Sequence, residues 1–309
     1  AARRGREQVA RLLEERRQLL VDGAHIRGVE PLVEDNVRRR AQLFAHSIGD
    51  APHVRWLRRV DYYEAWDLQR AVSEGKTLGR TSDDYVLLLE HPHTYTVGRN
   101  GDGSNLTIPA DDLPGIGARL FDVDRGGDIT YHGPGQLVGY PIVDVPPVGD
   151  GYDVVGHVRR IEAVLIGVLA DLGIEAWAEA GFTGVWTASG KVAAIGVRVS
   201  RGVSTHGFAI NVSPRMEYFD LIVPCGIEGR PVTSLVELLG RDISIEEVVA
   251  LLVPRLSNLS GATGAEVQLG AFARGTGAAY ELLRSRIPFL TEDVEMAPYM
   301  AAAAKLVSS

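Results

Sequence analysis

Cys225, the one thiol in the chain, stands in "DLIVPCGIEGR" between Pro224 and Gly226. Pro224 fixes φ, and Gly226 removes a side chain that would crowd an incoming acyl group. A turn built this way can present a sulfur to a pocket. A lone cysteine is also often a small buried hydrophobe, so the tripeptide leaves both readings open. Upstream, "GVWTASGKV" ends in Gly190-Lys191 like a nucleotide phosphate loop, but the loop fails twice. The glycine needed five residues ahead of Gly190 is replaced by Val185, and the Ser or Thr needed after the lysine is Val192. Lys191 is therefore either a solvated surface charge or, as the first side chain of the apolar strand "KVAAIGVRV", a group at the sheet edge where sites are often built. The densest glycine cluster is "DRGGDITYHGPGQLVGYPI", residues 124–142. Turn chemistry alone can explain such a cluster, yet its glycines also let a backbone approach a ligand, and Tyr131, His132 and Gln136 add polar groups able to orient one. Gly133, Gly135 and Gly139 have the wrong spacing for a dinucleotide fingerprint. His91 and His93 in "HPH" resemble a pair of metal ligands. No third ligand follows at a recognised spacing, so turn structure or a cleft rim suits them better and no metal is expected.

Several elements must position these groups. "VRWLRRV" reads as a strand, and "DYYEAWDLQRAV" as a helix with Asp61 as N-cap and Glu64 at capping-box spacing. "DYVLLLE", "RLFDV", "LVGYPIVDV", "VAAIGVRV" and "HGFAINV" are short and mostly rich in β-branched residues, as strands are. "DVVGHVRRIEAVLIGVLADLG" is a long helix closed by Gly173. "KVAAIGVRVSRGVSTHGFAINV" reads as two strands joined by a turn at Gly202. The expected fold is α/β of the α+β kind, a mixed central sheet flanked by helices rather than a doubly wound parallel one. "SIEEVVALLVPRLSNL" is expected to close the domain as a helix. Residues 1–52 read as a helical extension, 53–262 as the catalytic domain, and 263–309 as a helical or loosely ordered tail.

Composition narrows the function classes. The 309 residues are 45% apolar and 23% charged, enough for a core, and the net charge of −8 argues against nucleic acid and anionic membrane as partners. A single cysteine makes no internal disulfide. The opening "AARRGREQVARLLEERR" has no apolar segment of signal-peptide type, and the longest apolar runs are too short to span a bilayer. A cytoplasmic location is expected.

Five segments, in order, resemble the octanoyl-carrier-protein:protein octanoyltransferases of lipoate biosynthesis: "DYYEAWDLQR", "LLLEHPHTYTVGR", "DRGGDITYHGPGQLVGYPIVDV", "KVAAIGVRVSRGVSTHGFAINV" and "IVPCGIEGRPVTSL". They cover about residues 54–255. The resemblance implies a fold like that of biotin and lipoate protein ligases. It also implies transfer of an octanoyl group from octanoyl-acyl carrier protein, through a cysteine thioester, to the lysine of lipoyl domains of 2-oxoacid dehydrogenase complexes and of the glycine cleavage H protein. It implies no cofactor. By this resemblance Cys225 is the nucleophile and Lys191 its partner. Substrate contacts are implied for Arg125, Gly126, Gly127, Asp128, Ile129, Thr130, Tyr131 and His132, for Ala194, Ile195 and Gly196, and for Gly207, Phe208 and Ala209.

The chemistry is consistent with that assignment. Free cysteine is only about 3% thiolate at pH 7, and an ammonium within about 4–6 Å favours the thiolate. Two half-reactions on one cysteine predict ping-pong kinetics. His132 or the amides of Gly126 and Gly127 are candidates to hold the carbonyl oxygen as it gains charge. Ile195, Val197, Phe208 and Ile210 are candidates to line an octanoyl slot. A basic patch including Arg125, Arg159 or Arg160 is expected to meet the acidic carrier protein. Two rivals stay open: an ATP-dependent lipoate or biotin ligase that needs no Cys225, and a non-catalytic module that only docks carrier domains.

Overall fold

The computed structural model describes residues 52–223 and 230–259. The expected N-terminal extension, the tail and Cys225 itself lie outside the described residues, whereas the core of the expected catalytic domain lies within them. Twelve strands follow in chain order: β1 (His53–Arg59), β2 (Tyr85–Glu90), β3 (Thr94–Val97), β4 (Arg119–Asp122), β5 (Ile129–His132), β6 (Gln136–Ile142), β7 (Pro147–Val148), β8 (Gly151–Tyr152), β9 (Trp177–Glu179), β10 (Phe182–Thr187), β11 (Gly190–Ser200) and β12 (Val203–Asn211). The helices are α1 (Tyr62–Thr77), α2 (Val154–Asp171), α3 (Leu235–Leu239) and α4 (Ile245–Leu252). Seven strands form one sheet in the order β1-β2-β6-β12-β11-β10-β9. Only its β1–β2 pair, bridged by α1, is parallel, so the sheet is mixed as expected. A second sheet has the order β4-β3-β5.

Alternation along the strands sorts side chains onto two faces of the large sheet. Tyr85, Leu87 and Leu89 of β2, with Val138 and Tyr140 of β6, pack with Ala65 and Val72 of α1. Val86, Leu88, Leu137, Phe208 and Ile210 pack on the other face with Ile161, Leu165 and Leu169 of α2 and Val248 and Leu252 of α4. The small sheet has its own core, where Tyr95, Ile129 and Tyr131 meet Tyr218 and Phe219.

Local signals set the element ends. Asp61 caps α1 by accepting the Tyr63 N–H at 3.0 Å. Gly173, at φ +76°, follows the end of α2 as anticipated. Arg201 and Gly202, both at positive φ, close the β11–β12 hairpin in two residues. Ser244 and Glu247 form a reciprocal capping box at the start of α4. The helix expected to run on to residue 259 instead stops as an α-helix at Leu252 and continues as a 3₁₀ helix over Val253–Leu259. Pro254 supplies the reason, since it lacks the N–H that an α-helical turn would use.

Candidate active site

Lys191 is held by its backbone and its stem. Its N–H donates to the Pro231 carbonyl at 2.9 Å, and its carbonyl accepts from the Thr233 N–H at 3.0 Å. The side chain is buried at 8% exposure rather than solvated. Its Nζ lies 5.3 Å from the centre of the Trp186 ring, within reach of the ring's negative face. The stem crosses Gly184, where a Cβ would stand 2.5 Å from Lys191 Cε and 2.6 Å from the Ala193 carbonyl oxygen. Gly184 also holds φ at +129°, a region that other residues rarely enter. Gly184→Ala is therefore expected to push the Lys191 amine aside and lower kcat by about 10²-fold, the cost of an ångström-scale misplacement. Steady-state kinetics alongside circular dichroism check this, and unchanged kcat in a folded variant would contradict it.

Lys191 shares one open cavity with residues from both sheets. Arg125, Gly127, Thr130 and His132 line it from one side, and Ala194, Ile195, Gly196, Gly207, Phe208 and Ala209 from another. The two triplets are cross-strand neighbours, with Ala194 opposite Ala209, Ile195 opposite Phe208, and Gly196 opposite Gly207. The remaining residues of the glycine-rich segment turn away. Ile129 and Tyr131 enter the small sheet's core because they alternate with Thr130 and His132 along β5. Asp128 accepts from the Asn105 side chain and from the Ile129 N–H, and so shapes the loop. Gly126 donates its N–H to the Val197 carbonyl at 3.0 Å, so of the two glycines Gly127 is the one that faces the cavity. Ile195 and Phe208 line the cavity, whereas Val197 and Ile210 belong to the core.

Two histidines of this region have their tautomers fixed by their neighbours. Gln136 donates through Nε2 to the Tyr131 carbonyl and to Asn211 Oδ1, so its Oε1 faces His132 Nδ1 at 2.8 Å as an acceptor. The His132 proton therefore sits on Nδ1, and Nε2 carries a lone pair. This corrects the expectation that His132 donates to a carbonyl oxygen: burial holds its pKa down at about 3, and its one N–H is already engaged. His91 donates from Nδ1 to the Val60 carbonyl at 2.8 Å, which makes Tyr140 Oη the donor to His91 Nε2 at 2.7 Å. His93 instead bonds Tyr131 Oη at 2.7 Å and stacks on Tyr218, so the two histidines of "HPH" enter separate networks and neither lines the cavity. The His132 chain continues from Gln136 to Asn211, whose Nδ2 donates to the Thr233 carbonyl, and Thr233 is bonded to Lys191. One polar chain thus ties His132 to the backbone of Lys191.

Burial of neutral histidines has a consequence for stability. Desolvation lowers His91 to about 4, His132 to about 3 and His157 to about 4. Neither ring nitrogen of His157 has a hydrogen-bond partner. The unfolded chain protonates such residues near pH 6.5, so from there down to about pH 4 it binds protons that the fold refuses. Stability is then full above pH 6.5 and falls with pH by up to about 1.4 kcal/mol per pH unit for each histidine. Calorimetry is expected to show Tm dropping between pH 7 and pH 5, with a shallower drop for His157→Leu. A Tm independent of pH would contradict this.

Arg125 is not part of an exposed basic patch. At 7% exposure, its guanidinium donates to the carbonyls of Thr96, Gly126 and Asp128 and to Thr96 Oγ1, which fixes the glycine loop against β3. Arg159 pairs with Glu162, and Arg160 with Asp153. Tyr62, Tyr140 and His206 line the cavity without having been singled out in the sequence, and Gly184 was passed over in the failed phosphate-loop pattern. The sequence signal for His206 was its place directly before the Gly207–Ala209 triplet. Among the described residues no group of three or more His, Cys, Asp or Glu side chains is placed to hold a metal. No helix among them is long and apolar enough to cross a membrane.

Comparison with known proteins gives a consistent picture. Residues 61–257 match the family model for the lipoyl protein ligase A/B catalytic domain. A protein of Clavibacter sepedonicus named octanoyltransferase is 50% identical over 206 residues, which is 64% of this chain and 84% of that protein. Another of the same name from Koribacter versatilis is 46% identical over 199 residues, covering 63% and 79%. Among solved structures, the bipartite lipoate protein ligase of Thermoplasma acidophilum superposes with a TM-score of 0.52 at 15% identity, over 79% of this chain and 96% of that one, a likeness of fold.

Proposed function

Because this chain belongs to the lipoyl protein ligase A/B catalytic domain family, we propose that it moves an octanoyl group from the thioester of an acyl carrier protein onto a lysine of a lipoyl domain, by way of a thioester on Cys225. The chain is an acyltransferase, as its octanoyltransferase relatives are. The observation that carries the dyad is the backbone clasp on Lys191. Cys225 stands six residues before Pro231 in the sequence, and Pro231 and Thr233 are hydrogen-bonded to either side of Lys191. Residues 231–233, downstream of the thiol in the sequence, are thereby tied to the lysine.

In the first half-reaction the Lys191 ammonium favours the Cys225 thiolate, which attacks the carrier thioester. Lys191 then protonates the departing thiolate. Ala194, Ile195, Phe208 and Ala209 offer the octanoyl chain an apolar wall. Gly127 is left to meet the carbonyl oxygen with its amide, since Gly126 and His132 are engaged elsewhere. In the second half-reaction the acceptor amine displaces the sulfur. A thioester passes its acyl group to an amine downhill, so no ATP is required, and the failed phosphate loop at Gly190-Lys191 fits that. The acceptors are lipoyl domains of 2-oxoacid dehydrogenase complexes and the glycine cleavage H protein, in the cytoplasm. Incubating the protein and a lipoyl domain with octanoyl-carrier protein alone, or with octanoate and ATP, tests the reading. Octanoylation is expected only in the first mixture. Octanoylation only in the second would make the chain a ligase.

A further inference from the structure

His206 is a histidine that the two half-reactions above do not use, and four observations single it out. It holds φ at +56°, a strained value for a residue with a side chain. Its backbone N–H is fixed by Gln69 of α1 at 2.7 Å. Its Nε2 lies 2.7 Å from Asp124 Oδ1, so that nitrogen carries the proton and Nδ1 carries a lone pair. That Nδ1 is buried without a hydrogen-bond partner, on a residue that is 2% exposed and lines the same cavity as Lys191.

Proton counting gives this lone pair a task. In the first half-reaction the carrier's C–S bond breaks and Lys191 gives its proton to the leaving sulfur, ending neutral. The acceptor lysine arrives as an ammonium at neutral pH and must lose two protons to become an amide. Lys191 can take one, which restores its ammonium. The nitrogen's second surplus proton becomes acidic once its lone pair has bonded to the carbonyl carbon. The C–S bond to Cys225 then breaks and its electron pair returns to sulfur as thiolate. We propose that His206 Nδ1 is the acceptor of the second proton, which it later yields to solvent.

The inference rests on the acyl-transfer reading above. His132 also lines the cavity and carries a lone pair on Nε2, but the two histidines differ in what lies behind them. Behind His132 is the neutral amide of Gln136, whereas behind His206 is the carboxylate of Asp124, which stabilises an imidazolium. The charged groups around His206 are Asp124, Arg125 and Arg198, with Arg198 also paired to Asp124 and the rings of Trp66 and Tyr140 nearby.

Single-turnover measurement of each half-reaction tests this. His206→Asn removes the base yet suits the left-handed backbone, which asparagine tolerates. Acyl-enzyme formation should stay within about threefold of wild type, while transfer to the lipoyl-domain lysine slows by about 10²-fold. Added imidazole should recover part of the lost transfer. Equal slowing of both halves, or slowing of neither, overturns the proposal. If H206N does not fold, D124N carries the test: it keeps the ring, removes the compensating charge, and should slow transfer by about tenfold or more, while unchanged transfer would overturn the proposal. Failure of the wild-type protein to form any acyl-enzyme would instead remove the parent reading, and this inference with it.

Discussion

Replacing Cys225 by alanine is expected to lower octanoyl transfer from carrier protein by about 10⁴-fold or more, the scale seen when a covalent nucleophile is removed. The expectation follows from chemistry rather than packing. Without the thiol, the acyl group has to pass directly between two macromolecules, a pantetheine thioester and a lysine on a folded domain. Holding both in attack geometry at once forfeits the gain from splitting one difficult step into two easier ones. A ligase on the same fold would adenylate a free acid and lose nothing with this cysteine. Assay of Cys225→Ala with octanoyl-carrier protein as donor checks the point, and a folded variant retaining a tenth of wild-type transfer would exclude an obligatory thioester intermediate.

The second large effect is expected at Lys191. Lys191→Met keeps an apolar stem able to cross Gly184 and rest near Trp186, and it removes the ammonium. Transfer should fall by about 10³-fold, within the range for loss of a general acid–base group. Alkylation of Cys225 by iodoacetamide at pH 7 should slow as well, because the thiolate loses its counter-charge. Lys191→Arg separates the two duties. A guanidinium keeps the charge but does not give up its proton, and its planar fork fits the space over Gly184 poorly. It should restore part of the alkylation rate and little of the transfer. Alkylation at the wild-type rate in Lys191→Met would show that the lysine does not activate the thiol.

Much of the frame was legible because its signals are local. Asp61 and Gly173 mark helix ends by residue type alone, and the Gly202 turn between two apolar strands announces the β11–β12 hairpin. The small sheet was harder to read. Its strands β3, β4 and β5 are four residues each, and Thr94, Thr96, Thr130 and His132 interrupt their apolar pattern with side chains that serve hydrogen bonds or the cavity. In the site itself, a contiguous motif such as Arg125–His132 names a segment, whereas a strand shows alternate residues to opposite faces. Ile129 and Tyr131 therefore belong to the core while their neighbours face the cavity. Arg125 reads as surface charge until its carbonyl cage is visible. The tautomers of His91, His132 and His206 depend on Val60, Gln136 and Asp124, partners that are distant in sequence for two of the three. Tertiary contacts of that kind leave no periodicity to detect.

The most direct measurement is the intact mass of the protein after mixing with octanoyl-carrier protein and no acceptor. A gain of one octanoyl group is expected, located on the peptide that contains Cys225 and lost again when a lipoyl domain is added. An unmodified mass, in a preparation that nonetheless octanoylates the lipoyl domain once all three proteins are combined, would contradict a transfer that passes through sulfur.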